Sequence, residues 1–214
     1  MIVPVTPIQP KAVIFDYGYV LCVPQPREDV EAMAEILQVS AQRFEEVYWP
    51  YRLHYDKGVL NGVSYWQTVA RELGRPLTER DRQRLVALDV GSWMHLDARM
   101  MEWARSIRAH GIRTAILSNM PLELRNWIVQ QSGWLADFDY ATFSCDLGLA
   151  KPDTAIYEHC LCGLGTAAEE TLFFDDRQPN VDGAHLAGLH AVHFTTAEET
   201  LAGLDGQYRL PPLP

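Results

Sequence analysis

The stretch KAVIFDYGYVLC, residues 11 to 22, decides how the rest of this chain is interpreted. Three β-branched or aromatic residues, Val13, Ile14 and Phe15, precede Asp16, and Gly18 follows two positions later. A short apolar run of this composition predicts a buried strand. A buried strand that ends on a carboxylate presents that carboxylate at the edge of its sheet. We therefore expect Asp16 to be a functional residue.

The rest of the chain alternates short apolar runs with helical patterns, which predicts β–α units. Predicted strands occupy 12–16, 112–118, 139–144, 171–175 and 190–194. Predicted helices between the later strands occupy 97–109, 121–131, 153–163 and 178–187. This order favours an α/β fold, a Rossmann-like parallel sheet flanked by helices.

The first crossover is far longer than a parallel connection requires. Helical periodicity fills it at 27–37, 40–48, 63–73 and 78–89. We predict a small helical cap at residues 22–95, inserted at the carboxyl end of the first strand, where open α/β sheets bind ligands. Residues 1–21 and 96–214 would form the core domain. The aromatic residues of the insertion are expected mainly to form its own core.

Composition narrows the class of protein. The chain has 214 residues and a formal net charge of −10, which disfavours nucleic acid as a partner. It contains no apolar run near the roughly 20 residues that cross a bilayer, and its N-terminus does not resemble a secretory signal. The four cysteines do not follow zinc-site spacing and are expected to be free thiols. We expect a cytoplasmic protein with a small-molecule partner, while the oligomeric state is unspecified.

Polar side chains end or follow four of the five predicted strands. They are Asp16 after the first strand, Ser118 and Asn119 after the second, Lys151 beyond the third, and Asp175 and Asp176 after the fourth. In a parallel sheet these positions meet at one edge. Lysine is otherwise present only at Lys11 and Lys57, so its position here is notable.

These residue types suit phosphoryl transfer. An aspartate can act as a nucleophile and form an acyl phosphate, while a lysine and a metal neutralise the phosphate. Carboxylates such as Asp16 and the Asp175–Asp176 pair are ligands that Mg²⁺ prefers. A bound cation also explains why several carboxylates would be brought together, because their mutual repulsion would otherwise raise a pKa.

The segments VIFDYGYVL, AILSNM, DLGLAKPD and LFFDDRQPNVDGA occur in this order along the chain. Together they resemble the four motifs of the haloacid dehalogenase-like hydrolase superfamily. The resemblance extends from about residue 11 to 195. The insertion after the first motif is similar to the helical cap of the subfamily whose cap lies between motifs one and two.

The resemblance implies a role for each matching position. Asp16 would be the nucleophile and a metal ligand, Ser118 and Asn119 would bind the phosphoryl group, and Lys151 would neutralise it. The implied Mg²⁺ ligands are Asp16, the backbone carbonyl of Gly18, Asp176 and Asp175. Asp176 would be the main ligand of the fourth motif. The adjacent Asp175 could instead hold Lys151 or a metal-bound water. Asn180 and Asp182, on the following helix, would support the site from behind.

The chain departs from the family pattern at Gly18. Most phosphatases of the family carry a second aspartate there, which acts as general acid and base, and a threonine where this chain has Val20. Metal binding through the backbone is preserved, but acid catalysis, typically worth about 10²–10⁴ in rate, is not.

Three interpretations of this departure stay open. The chain resembles an FDxGxV branch that includes sugar-1-phosphate phosphatases, whose anomeric leaving group needs a proton less urgently. A 2-haloacid dehalogenase would need neither proton nor metal, although the Asp175–Asp176 pair argues against it. A non-catalytic relative would keep the fold as a binding or regulatory module.

Several further residues are candidates for substrate contact. Tyr17 and Tyr19 flank Gly18, and Tyr19 or Cys22 could face the leaving group or pack beneath the cap. In the segment YWPYRLHYDKG the candidates are Arg52, His54 and Tyr55. Each of these three has a structural role as its alternative.

Overall fold

The computed structural model describes residues 7–131, 133–204 and 206–214. Its strands are β1 (Ala12–Phe15), β2 (Arg113–Ser118), β3 (Tyr140–Phe143), β4 (Thr171–Asp175) and β5 (His190–His193). They form one sheet in the order β3-β2-β1-β4-β5, and every neighbouring pair is parallel. The predicted Rossmann-like fold is confirmed, and each predicted strand is present to within about one residue at each end.

The helices cover both faces of the sheet and fill the first crossover. They are α1 (Arg27–Ile36), α2 (Ala41–Tyr48), α3 (Arg52–Asp56), α4 (Gly62–Glu72), α5 (Glu79–Ser92), α6 (Ala98–Ala109), α7 (Leu122–Gln131), α8 (Ser144–Leu147), α9 (Thr154–Leu164), α10 (Gln178–Leu186) and α11 (Ala197–Gly203). Each predicted helix is present. Helices α3, α8 and α11 were not predicted, because five, four and seven residues are too few to show a helical period.

Strand β1 lies at the centre of the sheet and is fully buried on both faces. Val13 and Phe15 pack on the side of α6, where Phe15 meets Trp103 edge-to-face at 5.8 Å between ring centroids. Residues on the opposite face, including Ile14, pack against α9. Because neighbours hold the strand on all sides, the chain leaves it at a well-defined point, and Asp16 lies at that point.

Helices α1 to α5 form a separate apolar cluster between β1 and α6. Tyr65 and Trp66 are completely buried in it, and Tyr55 stacks on Tyr65 with ring centroids 4.4 Å apart. Most aromatic side chains of the insertion therefore stabilise the insertion itself. Its predicted bounds, 22–95, and those of the core, 1–21 and 96–214, stay a prediction, and residues 1–6 lie outside the described residues.

A helix that crosses a bilayer must be both long and apolar. Within the three described ranges, none of the helices has both the length and the apolar character needed to cross a bilayer.

Candidate active site

The carboxyl ends of the strands bring the predicted polar residues together. Lys151, in the loop before α9, reaches this edge with a side chain that is completely buried. Its Nζ lies 2.9 Å from Oδ1 of Asp16 and 2.6 Å from Oδ2 of Asp175, and it also donates to the carbonyl oxygen of Leu117 at 2.9 Å. One ammonium group thus bridges the ends of β1 and β4.

Three carboxylates surround this lysine. Asp16, Asp175 and Asp176 each offer an oxygen, and these three oxygens lie within 4.8 Å of one another. Lys151 supplies one positive charge against three potential negative charges. A divalent cation with hard oxygen ligands fits this donor set and its charge.

Burial raises the pKa of Asp16, and the carboxylates of Asp175 and Asp176 raise it further, while Lys151 opposes the change. Burial also raises the pKa of Asp176. For Lys151, burial acts to lower the pKa, but Asp16 and Asp175 together outweigh it, so its pKa is raised. The lysine therefore stays protonated, whereas the raised pKa values of Asp16 and Asp176 mean that a bound cation would favour their ionised forms.

The carboxylates of Asp175 and Asp176 differ in how far their oxygens are engaged by other groups of the protein. Oδ1 of Asp175 accepts hydrogen bonds from the backbone N–H of Arg177 and from Nδ2 of Asn180, both at 2.9 Å, while Oδ2 accepts from Lys151. Both oxygens of Asp175 are thus used within the protein. Asp176 is partly exposed to the site, which makes it the better placed of the two for a metal.

Of the two residues on α10 that were expected to support the site, one does so. Asn180 does lie behind the site, since it holds Asp175. Asp182 does not: it is exposed and accepts a hydrogen bond from Gln178 at 2.8 Å. The two residues are two positions apart on a helix, so they point in different directions.

Asn119 has a different environment from the one expected for a phosphate ligand. Its Nδ2 donates to the carbonyl oxygen of Lys151 at 3.0 Å, and its Oδ1 accepts from the N–H of Lys151 at 2.9 Å. This reciprocal pair positions the lysine. Ser118, which is 2% exposed, lines the cavity next to it.

Gly18 lies at the wall of the same cavity. A Cβ built there would be 3.4 Å from the ring of Trp93, an ordinary contact, and the backbone has no positive φ. Glycine is therefore not required by space or conformation at this position. Tyr19, the next residue, adopts a positive φ of 60° and is 37% exposed.

A cavity of about 460 Å³ separates the strand ends from the helical insertion. Its floor contains Asp16, Ser118, Lys151 and Asp176, all predicted site residues. Its roof comes from the insertion and consists of Trp49, Arg52, Leu53, Asp56 and Trp93. Of the roof residues, sequence reasoning had singled out Arg52 for substrate contact.

Of the other substrate-contact candidates, Tyr17 and Tyr19 line the cavity, whereas Cys22, His54 and Tyr55 do not. His54 is exposed and is not part of the wall, and Tyr55 is buried in the insertion. Cys22 is also buried, its thiol lies 3.3 Å from the carbonyl oxygen of Trp93, and burial raises its pKa to about 12. Tyr17 lines the wall, and its hydroxyl donates to that same carbonyl at 2.6 Å. All four cysteines are free, as predicted.

Arg52 is held by a network within the roof. Its Nη1 lies 2.8 and 3.0 Å from the two carboxylate oxygens of Asp89, and its Nε donates to Oδ1 of Asp56 at 2.8 Å. Tyr48 donates to Asp89 at 2.6 Å and also contacts Arg52. Burial raises the pKa of Asp56 to about 6, although Arg52 opposes this. The charge of Arg52 is thus balanced before any ligand enters.

Comparison with known proteins is consistent with this geometry. A sesquiterpene phosphatase from Aspergillus oryzae is 26% identical over 192 residues, which are 89% of this chain and 92% of that protein. A solved HAD family enzyme from Bacteroides thetaiotaomicron, in complex with magnesium and inorganic phosphate, has a TM-score of 0.71 at 19% identity, covering 89% of this chain and 96% of that chain.

An L-2-haloacid dehalogenase structure has a TM-score of 0.67, also at 19% identity, covering 90% of this chain and 88% of its own. At such identities the two structures show a shared fold alone. The family model described as haloacid dehalogenase-like hydrolase matches residues 10–188. Because this match includes strands β1 to β4, the insertion and the whole candidate site, the chain belongs to the haloacid dehalogenase-like hydrolases.

Proposed function

We propose that this protein hydrolyses small phosphomonoesters, with Asp16 as the nucleophile. The observation that carries the proposal is the completely buried Lys151, 2.9 Å from Asp16, inside a cluster of three carboxylates. A lysine in this position orients the nucleophile and balances the charge of an incoming phosphate. The phosphatase name of the A. oryzae relative supports the same reaction class.

In the proposed reaction, an oxygen of Asp16 attacks phosphorus and forms a P–O bond while the bond to the leaving oxygen breaks, and that oxygen takes a proton from solvent water and departs as the alcohol. Ser118 donates a hydrogen bond to a phosphoryl oxygen, and Lys151 balances the charge of the transferred group. Water then attacks the aspartyl phosphate, which releases inorganic phosphate and restores Asp16. Asn119 and Asp175 act indirectly, since they hold Lys151 in place.

Mg²⁺ is the proposed cofactor, because three acidic side chains converge where a single lysine opposes them. Asp16, Asp176 and the backbone carbonyl of Gly18 would hold it, with Asp175 close behind. When bound, the ion would neutralise phosphate charge as the phosphoryl group is transferred.

Gly18 implies that the leaving alcohol receives no proton from a side chain at this position. Good leaving groups are then favoured, which keeps a sugar 1-phosphate among the candidate substrates. The insertion, residues 22–95, would act as the cap that encloses the substrate over the core. A dehalogenase has no use for the Asp175–Asp176 pair, so the pair favours phosphatase activity.

The test is phosphate release by the purified protein with Mg²⁺, using an aryl phosphate as substrate. Asp16→Asn should abolish turnover and leave the fold intact, because it removes the nucleophile and keeps the shape. Asp182→Asn is the matched control, since Asp182 is exposed and outside the site. Full activity in Asp16→Asn would exclude the covalent mechanism, and metal-independent halide release from a 2-haloacid would favour the dehalogenase.

A further inference from the structure

The cavity has two chemically different ends. The floor carries the charged groups proposed to handle the phosphate. Away from them, the wall contains Tyr19, Trp49, Leu53, Trp93, Met120 and Leu124. The organic part of a substrate whose phosphate lies on the floor must therefore lie against a largely apolar surface.

The polar side chains along this wall are mostly occupied by the protein itself. Arg52 is held by Asp89 and Asp56, and the amides of Asn119 and Asn180 hold Lys151 and Asp175. A sugar, with its several hydroxyl groups, would lose water on entering and find few partners. Among the described residues of this wall, the Arg177 guanidinium, the Tyr19 hydroxyl and the Trp49 indole N–H have no hydrogen-bond or ion-pair partner, which leaves few groups to bind the hydroxyl groups of a sugar ring.

The apolar part of the wall is open to a ligand. Trp49 and Leu53 are each 45% exposed although both line the cavity. Trp93 packs edge-to-face against Tyr19 and Trp49, with ring centroids 5.8 and 6.4 Å apart. Large apolar side chains left uncovered in a concave site are typical of pockets for apolar ligands.

We propose that the leaving group is an apolar alcohol, a branched or aromatic hydrocarbon chain with few hydroxyl groups, and that Trp49 and Leu53 bind it. This inference rests on the proposed phosphatase function and names its substrate class. Discrimination among substrates then depends on how much apolar surface the alcohol brings to the roof. Removing part of that surface from the alcohol lowers kcat/KM.

Dimethylallyl phosphate and geranyl phosphate provide the test, because they share the same allylic phosphate end and differ only in the apolar tail. We expect kcat/KM to be at least about tenfold higher for geranyl phosphate, since even one methylene in an apolar pocket is worth roughly tenfold or more. Glucose 1-phosphate should be slower than both although its anomeric oxygen is the better leaving group, because its ring brings little apolar surface to Trp49 and Leu53. This comparison needs no variant of the protein.

Two variants test whether Leu53 is responsible for the preference for geranyl phosphate. Leu53→Asn should remove most of the preference for geranyl phosphate, measured as the ratio of kcat/KM for geranyl phosphate to kcat/KM for dimethylallyl phosphate. Leu122→Asn is the matched control, because Leu122 has the same exposure of 45% and does not line the cavity. An equal loss of preference in both variants would contradict the role given to Leu53.

The outcomes separate this inference from the proposal beneath it. Phosphate release from acetyl phosphate combined with a preference for glucose 1-phosphate would overturn the apolar substrate class and leave the phosphatase standing. Equal kcat/KM for the two prenyl phosphates would do the same. Silence on every phosphate, acetyl phosphate included, would overturn both.

Discussion

Replacing Lys151 by methionine tests whether the buried ammonium group offsets the repulsion between the clustered carboxylates. The substitution keeps the unbranched apolar stem of the side chain, shortens it by one heavy atom and removes its charge. It also removes three hydrogen bonds, to Asp16, Asp175 and the carbonyl of Leu117. Two buried carboxylates then lose their cation.

The expected cost follows from burial. Removing one partner of a buried ion pair typically costs about 3–5 kcal/mol, because the remaining charge stays desolvated. No reduction for solvent screening applies, since the side chains of Lys151 and Asp175 are 0% exposed. With domains of this kind usually stable by about 5–15 kcal/mol, the loss should be a large fraction of the total.

Urea unfolding followed by tryptophan fluorescence, in EDTA at pH 8, measures this cost. Lys11→Met is the control, because Lys11 pairs with Glu170 at 2.5 Å but the two side chains are 67% and 36% exposed, so the same substitution should cost about 0–1 kcal/mol. The cost of Lys151→Met should shrink toward pH 5, because burial raises the pKa of Asp16 and its protonation there relieves the repulsion between the carboxyl groups. Equal costs for the two variants at pH 8 would refute the reasoning.

Three further predictions concern the roof, the missing acid and pH. Arg52→Met should lower the free energy of unfolding by about 3–5 kcal/mol, against about 0–1 kcal/mol for Arg43→Met, whose ion pair is exposed; similar urea midpoints would contradict this. Gly18→Asp should raise kcat for substrates with poor leaving groups more than for those with good ones, because its Cβ fits beside Trp93 and its carboxyl group can donate a proton. The control Gly18→Asn should not raise kcat. An equal gain for both classes of substrate would reject acid catalysis as the reason. Burial raises the pKa of Asp16 above its unfolded value, so metal-free protein should lose stability as pH rises from the ordinary aspartate range toward neutrality. Thermal melts in EDTA at several pH values should show this fall in stability with pH, and Asp16→Asn should reduce it. An unchanged pH dependence in that variant would assign the effect to other groups.

The floor of the site could be predicted from the sequence because parallel strands impose a common edge. Asp16, Ser118 and Asp175 each follow an apolar run, so knowing the strands was enough to place them together. Lys151 lies several residues beyond its strand, so its position at this edge was predicted from the strand order and the scarcity of lysine, and its role came from the resemblance to a known family. Its hydrogen-bonded partner Asn119 was predicted as a site residue but with a different role.

The roof could not be predicted in the same way. Trp49 and Leu53 belong to a region of short helices, where periodicity says little about which face is covered. Arg52 and Asp56 have the i,i+4 spacing of a helical pair, but Asp89, which balances the same arginine, is 37 residues away in sequence. Which side chains meet the cavity depends on how the insertion packs on the core, and that packing involves contacts distant in sequence.

The closed ion network around Arg52 has a consequence for the rate at which substrate arrives. Because Asp56 and Asp89 balance this cation, the roof presents little positive potential to an approaching phosphate, and the chain as a whole carries a net charge of −10. Electrostatic steering toward the cavity is therefore weak or repulsive at long range. Added salt, which screens such repulsion, should speed the association of anionic substrates with this protein.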